Sequence, residues 1–151
     1  MERHGMSMHE QNEALAINEL CAIVHKANEK WWVDLESGLP LKRNIAEMLM
    51  LSVSELAEAG EDSPQYSILL MEVVKSLSHA MEGHRKAKMD DKLPWRRMFE
   101  VELADAIIRI FDIAAGLELD LGGAFVEKMA FNAQREDHKL EHRRGEGGKK
   151  Y

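Results

Sequence analysis

Apolar residues in this chain recur at helical spacing and never at strand spacing, and the residues that stop helices come in clusters between the periodic stretches. Over 7–33 the periodic positions are Leu15, Ile17, Leu20, Ile23, Val24 and Ala27, and Glu36-Ser37-Gly38-Leu39-Pro40 breaks the run. A second helix is expected from about Asn44 to Ala59, ended by Gly60-Glu61-Asp62-Ser63-Pro64. A third is expected over about 65–87, a fourth over 95–116 with Pro94 at its first turn, and a fifth over 119–140. No segment alternates, so the expected class is all-α. A chain of 151 residues suits one domain, expected over 1–144, followed by a flexible basic tail at 145–151.

Composition narrows the function classes. The formal net charge of -7 disfavours a nucleic-acid backbone as main partner and suits a protein that holds cations with carboxylates. The lone Cys21 excludes an intramolecular disulfide and a cysteine-based zinc site. No apolar run approaches the roughly 18–20 residues that cross a bilayer, and Met1–Glu10 has no apolar signal region, so no membrane partner and a cytoplasmic location are expected.

An internal echo of 21 residues relates 49–61 to 70–82, with Leu49/Leu70, Met50/Met71, Val53/Val74, Leu56/Leu77, Ala59/Ala80 and Glu61/Glu82 identical. Ser76 and His79 in the second copy replace Glu55 and Glu58 in the first. Either two amphipathic helices share residues by composition, or a duplicated segment kept its packing positions and lost its carboxylates.

Carboxylates form the chemical pattern. In the fourth helix Glu102, Asp105, Arg109 and Asp112 share one narrow arc of a helix that is otherwise apolar from 101 to 115. In the second, Glu55 and Glu58 stand one turn apart on one face. Each stripe read alone suits a plain solvent face. If the two helices face each other, four carboxylates converge, and their repulsion calls for a cation. Oxygen donors without cysteine suit Mg²⁺ or Mn²⁺, and magnesium held in this way usually also touches substrate phosphates. Lys128, Asn132 and Arg135, spaced i, i+4, i+7 on the fifth helix, line one face that suits either solvent or phosphate oxygens.

With Ser54-Glu55-Leu56-Ala57-Glu58, Glu102-Leu103-Ala104-Asp105 and Lys128-x-x-x-Asn132-x-x-Arg135 in this order, the sequence resembles the MazG-like, all-α nucleotide pyrophosphohydrolases over nearly its whole length. The resemblance implies a four-helix bundle and Mg²⁺-dependent hydrolysis of a nucleoside triphosphate, by preference a deoxynucleoside triphosphate, to monophosphate and pyrophosphate, as nucleotide-pool housekeeping. Glu55, Glu58, Glu102 and Asp105 would hold Mg²⁺, with Mn²⁺ as a substitute. Glu55 or Glu58 would orient or deprotonate the attacking water. Lys128 and Arg135 would offset phosphate charge, and Asn132 would hydrogen-bond the nucleotide. The chain would be a homodimer or homotetramer. Two departures stand out: Ser54 occupies a position where relatives often have a further Glu, and residues 60–80 read as an insertion that adds a helix or helical extension. The insertion leaves open whether Glu61 or Glu82 follows the metal motif.

Trp31 and Trp32 offer either a stacking wall for a base or core packing. Asn44 offers a helix cap or, with Arg43, an anion contact at a helix start. His138 and His142, four apart among Lys139, Arg143 and Arg144, are expected in a solvated tail. A di-iron bundle needs Glu-x-x-His on two helices, and none of the seven His has Glu three residues before it. The alternative outside catalysis is a helical nucleotide-binding or protein-interaction module whose acidic stripes only face water.

Overall fold

The computed structural model describes residues 5–62 and 64–145, and the tail expected at 145–151 lies outside them from residue 146 onward. The described residues are all-helical: α1 (Met8–Ala27), α2 (Ile45–Asp62), α3 (Ser67–Lys86), α4 (Met98–Gly116), α5 (Leu121–Gln134) and α6 (Leu140–Arg144), joined in places by single 3₁₀ turns. Extended pairing among them is confined to the isolated bridges Val33–Pro40 and Met89–Arg97.

Two expected helices end early. The first stops at Ala27, where the Asn28 N–H donates to the carbonyls of Val24 and His25, and a 3₁₀ turn at Glu29–Trp31 follows. The fifth stops at Gln134, because Arg135 takes an extended conformation (φ -62°, ψ 128°) and its guanidinium grips Asp137 two residues on. A short-range ion pair and an extended residue thus override a helical pattern that the sequence carries through to residue 140.

The chain forms two compact units, one of Asn44–Asp120 and one of the described residues up to Arg43 together with those from Leu121. In the first unit α3 packs along α4 and also against α2. The buried centre is Leu49 of α2, Val73, Leu77 and Ala80 of α3, and Ala106 of α4, with Val53, Leu56, Phe99, Leu103 and Ile110 packed around it. Asn44 begins α2 by accepting the Ala46 N–H at 3.1 Å, which is the capping role.

A tightly specified turn sets the register of α3 against α4. Ala87 ends α3 in the left-handed region (φ 50°), and Lys88 N–H donates to the Gly83 carbonyl. Met98 N–H donates to the Lys88 carbonyl, and the Asp90 carboxylate accepts from the Lys92 and Leu93 N–H groups. At Gly83 the two helices approach so closely that a Cβ would lie 2.9 Å from Met98 Cγ and 3.1 Å from the Phe99 backbone nitrogen. Gly83→Ala is therefore expected to destabilise the protein by about 1–3 kcal/mol through overpacking, despite alanine's better helix propensity. Chemical denaturation checks this; a variant as stable as the parent would mean that the crossing relaxes freely.

In the second unit α1 begins with a capping box, in which the Ser7 hydroxyl accepts from the Glu10 N–H and the Glu10 carboxylate accepts from the Ser7 N–H. No residue of α1 is buried, and Leu15 and Ile23 are exposed.

Candidate functional site

The first unit carries the carboxylates. Glu102 emerges from α4 with its side chain only 14% exposed, and its Oε1 stands 3.5 Å from Nδ1 of His79 on α3. Asp105, one turn further along α4, is exposed, as are Glu55 and Glu58 on α2. Among the described residues no three His, Cys, Asp or Glu side chains are gathered closely enough to hold a metal ion. The structure thus pairs Glu102 with His79 and does not bring Glu55 and Glu58 together with Glu102 and Asp105 in one cluster. α4 thus presents two carboxylates one turn apart, with an imidazole beside one of them. Of the two residues left open after the motif, Glu82 lies on α3 and is engaged by Lys86 and then Arg85, whose contacts hold its carboxyl below the usual range. Glu61 is exposed near the end of α2.

The second unit carries the aromatic and cationic groups. Trp31 is covered on one face by Arg143, whose guanidinium carbon lies 3.8 Å from the ring centroid, and is met edge-on by His138 at 5.2 Å. Trp32 meets His25 edge-on at 5.2 Å and has Arg43 at 5.7 Å. Arg43 also donates to the Trp31 carbonyl at 2.8 Å, and Arg143 donates to the Lys30 carbonyl at 2.6 Å. Cation–π contact and carbonyl acceptance are what let Arg143 sit buried, at 3% exposure. Burial, and then the like charge of Arg43, lowers its pKa from the ordinary arginine value. The solvated tail expected around His138 and His142 is corrected in part: His138 is 12% exposed and Arg143 is a packing residue of this unit, while His142 is exposed as expected. The sequence signal for this was weak, since a run of His, Lys and Arg reads as a solvated end.

The row on α5 divides. Lys128 is exposed, with its ammonium 5.7 Å from the Phe131 ring. Arg135 lies just past the helix end and makes two hydrogen bonds to Asp137, at 2.9 and 2.7 Å. Asn132 lines a small pocket with Ala27, Asn28, Lys30, Met129, Ala133 and His138, and its buried Oδ1 has no hydrogen-bond partner. A buried acceptor in this state needs a donor from a ligand or an ordered water.

The loop after the two tryptophans is set by Asp34. Its Oδ1 accepts from the Glu36 and Ser37 N–H groups and the Ser37 hydroxyl, which lowers its pKa below the ordinary 3.8, the Ser37 contacts contributing most. The folded carboxyl is the stronger acid, so its contribution is complete at neutral pH and is lost as the pH falls through the folded value. NMR amide shifts of Glu36 and Ser37 should move together below pH 4, roughly, and the step should vanish in Asp34→Asn.

Compared with protein-family models, with curated proteins and with solved structures, the chain matches none.

Proposed function

We propose that the protein hydrolyses a nucleoside triphosphate, by preference a deoxynucleoside triphosphate, to the monophosphate and pyrophosphate in a Mg²⁺-dependent reaction. The observation that carries this reading is Glu102, a carboxylate sunk to 14% exposure on a helix that is otherwise apolar along this stretch. Drawing a carboxylate largely out of water is costly unless a cation offsets it. Asp105 follows one turn along, and the motif order Glu55, Glu58, Glu102, Asp105, Lys128, Asn132, Arg135 runs through the chain as the resemblance described above requires. A divalent ion at these carboxylates supplies charge neutralisation of the phosphates and a lowered pKa for bound water.

The chain's own groups then have assigned work. Glu102 and Asp105 would hold the cation; Glu55 and Glu58, which stand apart from them here, would join only as α2 draws nearer, and one of that pair would orient the attacking water. Lys128 and Arg135 offset phosphate charge; Arg135 must exchange its bond to Asp137 to do so. Asn132 offers its unpartnered Oδ1 to a donor on the nucleotide. Trp31 and Trp32 would bound the base where they stay accessible, since buried Arg143 covers one face of Trp31. Exposed apolar side chains on three helices of the first unit, among them Met50 (55%), Met71 (61%) and Ile108 (59%), support assembly into a homodimer or homotetramer. A sedimentation mass of a single 17.2 kDa chain at micromolar concentration would contradict the assembly.

Exposure of Glu55 and Glu58 favours a second reading, a helical binding module whose acidic stripes only face water. Incubation with Mg²⁺ and a panel of ribo- and deoxynucleoside triphosphates separates the two. The enzyme reading expects monophosphate, with turnover lost in Glu55→Gln; the module reading expects no turnover and indifference to that substitution.

A further inference from the structure

Helix α1 runs for 20 residues and buries none of them. Its one sizeable packing partner among the described residues is the 3₁₀ turn Glu29–Trp31, the next piece of chain. Helices in water draw most of their stability from packing an apolar face, and one that stands alone is marginal at about 12–15 residues even when rich in alanine. α1 also carries Asn12, Ile17, Asn18, Ile23, Val24 and His25, all weak helix formers. A helix of this composition needs something to cover its apolar side.

That side is a stripe. At 3.6 residues per turn, Ile17, Leu20, Ile23 and Val24 fall within about 120° of one another, with Cys21 on the flank. Ile17, Leu20 and Ile23 are exposed, and Val24 is half-buried. Leu15 points from the opposite side of the helix.

Charge says what fits the stripe. Glu10 and Glu13 stand in the first half of α1, and His25 and Lys26 in its last turn. A partner face of one sign would suit only one end. A second α1 running antiparallel suits both ends, and the opposed helix dipoles favour that direction as well. The local ion pairs of Glu13 with His9 and of Lys26 with Glu29 are exposed, so exchanging them costs little. A two-fold axis at Leu20 sets Ile17 level with the partner's Ile23, and Glu13 within one turn of the partner's Lys26. This is the self-complementary match that an isologous contact requires.

We infer that α1 is a homodimer interface, in which two copies of this chain pair their α1 helices antiparallel along the Ile17, Leu20 and Val24 stripe. The contact is separate from the exposed apolar patches of the first unit, and it does not depend on the reaction proposed above.

The test uses the full chain at micromolar concentration. Leu20→Glu should raise the dissociation constant read by sedimentation about thirtyfold or more, as removal of a central interface anchor does. Leu15→Glu, on the far side of α1, should leave it unchanged. Cys21 is the sole cysteine and is exposed, so a short bis-maleimide that joins two chains must join two α1 helices. A covalent dimer is expected in the parent. Ala14→Cys in a Cys21→Ser background should give none, because antiparallel helices hold those two positions about 18 Å apart along the axis. A parent that sediments as a single chain, parental association in Leu20→Glu, no covalent dimer in the parent, or efficient joining through Ala14→Cys would each overturn the inference. Ile108→Glu keeps the two surfaces apart: if it alone abolishes association, the assembly belongs to the first unit and α1 has no part in it. Nucleotide turnover of the same preparation judges the reaction independently of either outcome.

Discussion

Glutamine in place of Glu102 is expected to lower nucleotide turnover by about 10²–10³-fold while the helical content stays unchanged. The substitution keeps size and shape and removes only the charge, at a side chain 14% exposed on the apolar α4. If that carboxylate exists to hold a cation against phosphate oxygens, its loss falls on the chemical step and appears in kcat, with KM moving less. A structural carboxylate behaves differently. Removing it would relieve the cost of its burial, leave turnover intact and register, if anywhere, as a gain in stability. Measuring kcat and the denaturation midpoint of the same variant separates these outcomes.

Leu77→Ala is expected to cost about 2–5 kcal/mol, a large part of the roughly 5–15 kcal/mol that holds a domain of this size together. The centre of the first unit is small: beside Leu77 it has Leu49, Val73, Ala80 and Ala106, and two of these five are already alanines. Truncating Leu77 opens a cavity at the place where α3 meets α4, the contact that sets His79 against Glu102. The echo supplies an internal control. Leu56, the equivalent residue of α2, is only partly buried at the edge of the same core, so Leu56→Ala should cost distinctly less. Urea denaturation of both variants decides the matter; equal losses would mean that the two copies pack equally and that α3 has no privileged place.

The helices were legible in the sequence because their signals are local. Pro64, Pro94 and Gly60 punctuate apolar runs of period 3.6, and α2, α3 and α4 begin or end within a few residues of where these signals put them. The break at Arg135 was not legible, since an ion pair to Asp137 outweighs a pattern that continues unbroken. Nor was the place of Arg143. A cationic run near the end of a chain reads as solvated until a tryptophan face and a backbone carbonyl are found to receive it. At the candidate site, periodicity identified which carboxylates share a helix face but carried no information about which helix lies opposite. The echo made α2 and α3 near-equivalent in pattern, and tertiary packing chose α3. The pairing of His79 with Glu102 therefore follows from a choice between two similar helices that no local signal encodes.

Attack of water on the α-phosphorus of a nucleoside triphosphate, as proposed, is tested most directly by the position of an oxygen label. Turnover of a deoxynucleoside triphosphate in ¹⁸O-water with Mg²⁺ or Mn²⁺, followed by mass spectrometry of the products, should place the label in the monophosphate and leave the pyrophosphate unlabelled. Label in inorganic phosphate with a nucleoside diphosphate as the other product, or no turnover with either ion across the nucleotide panel, would contradict the account.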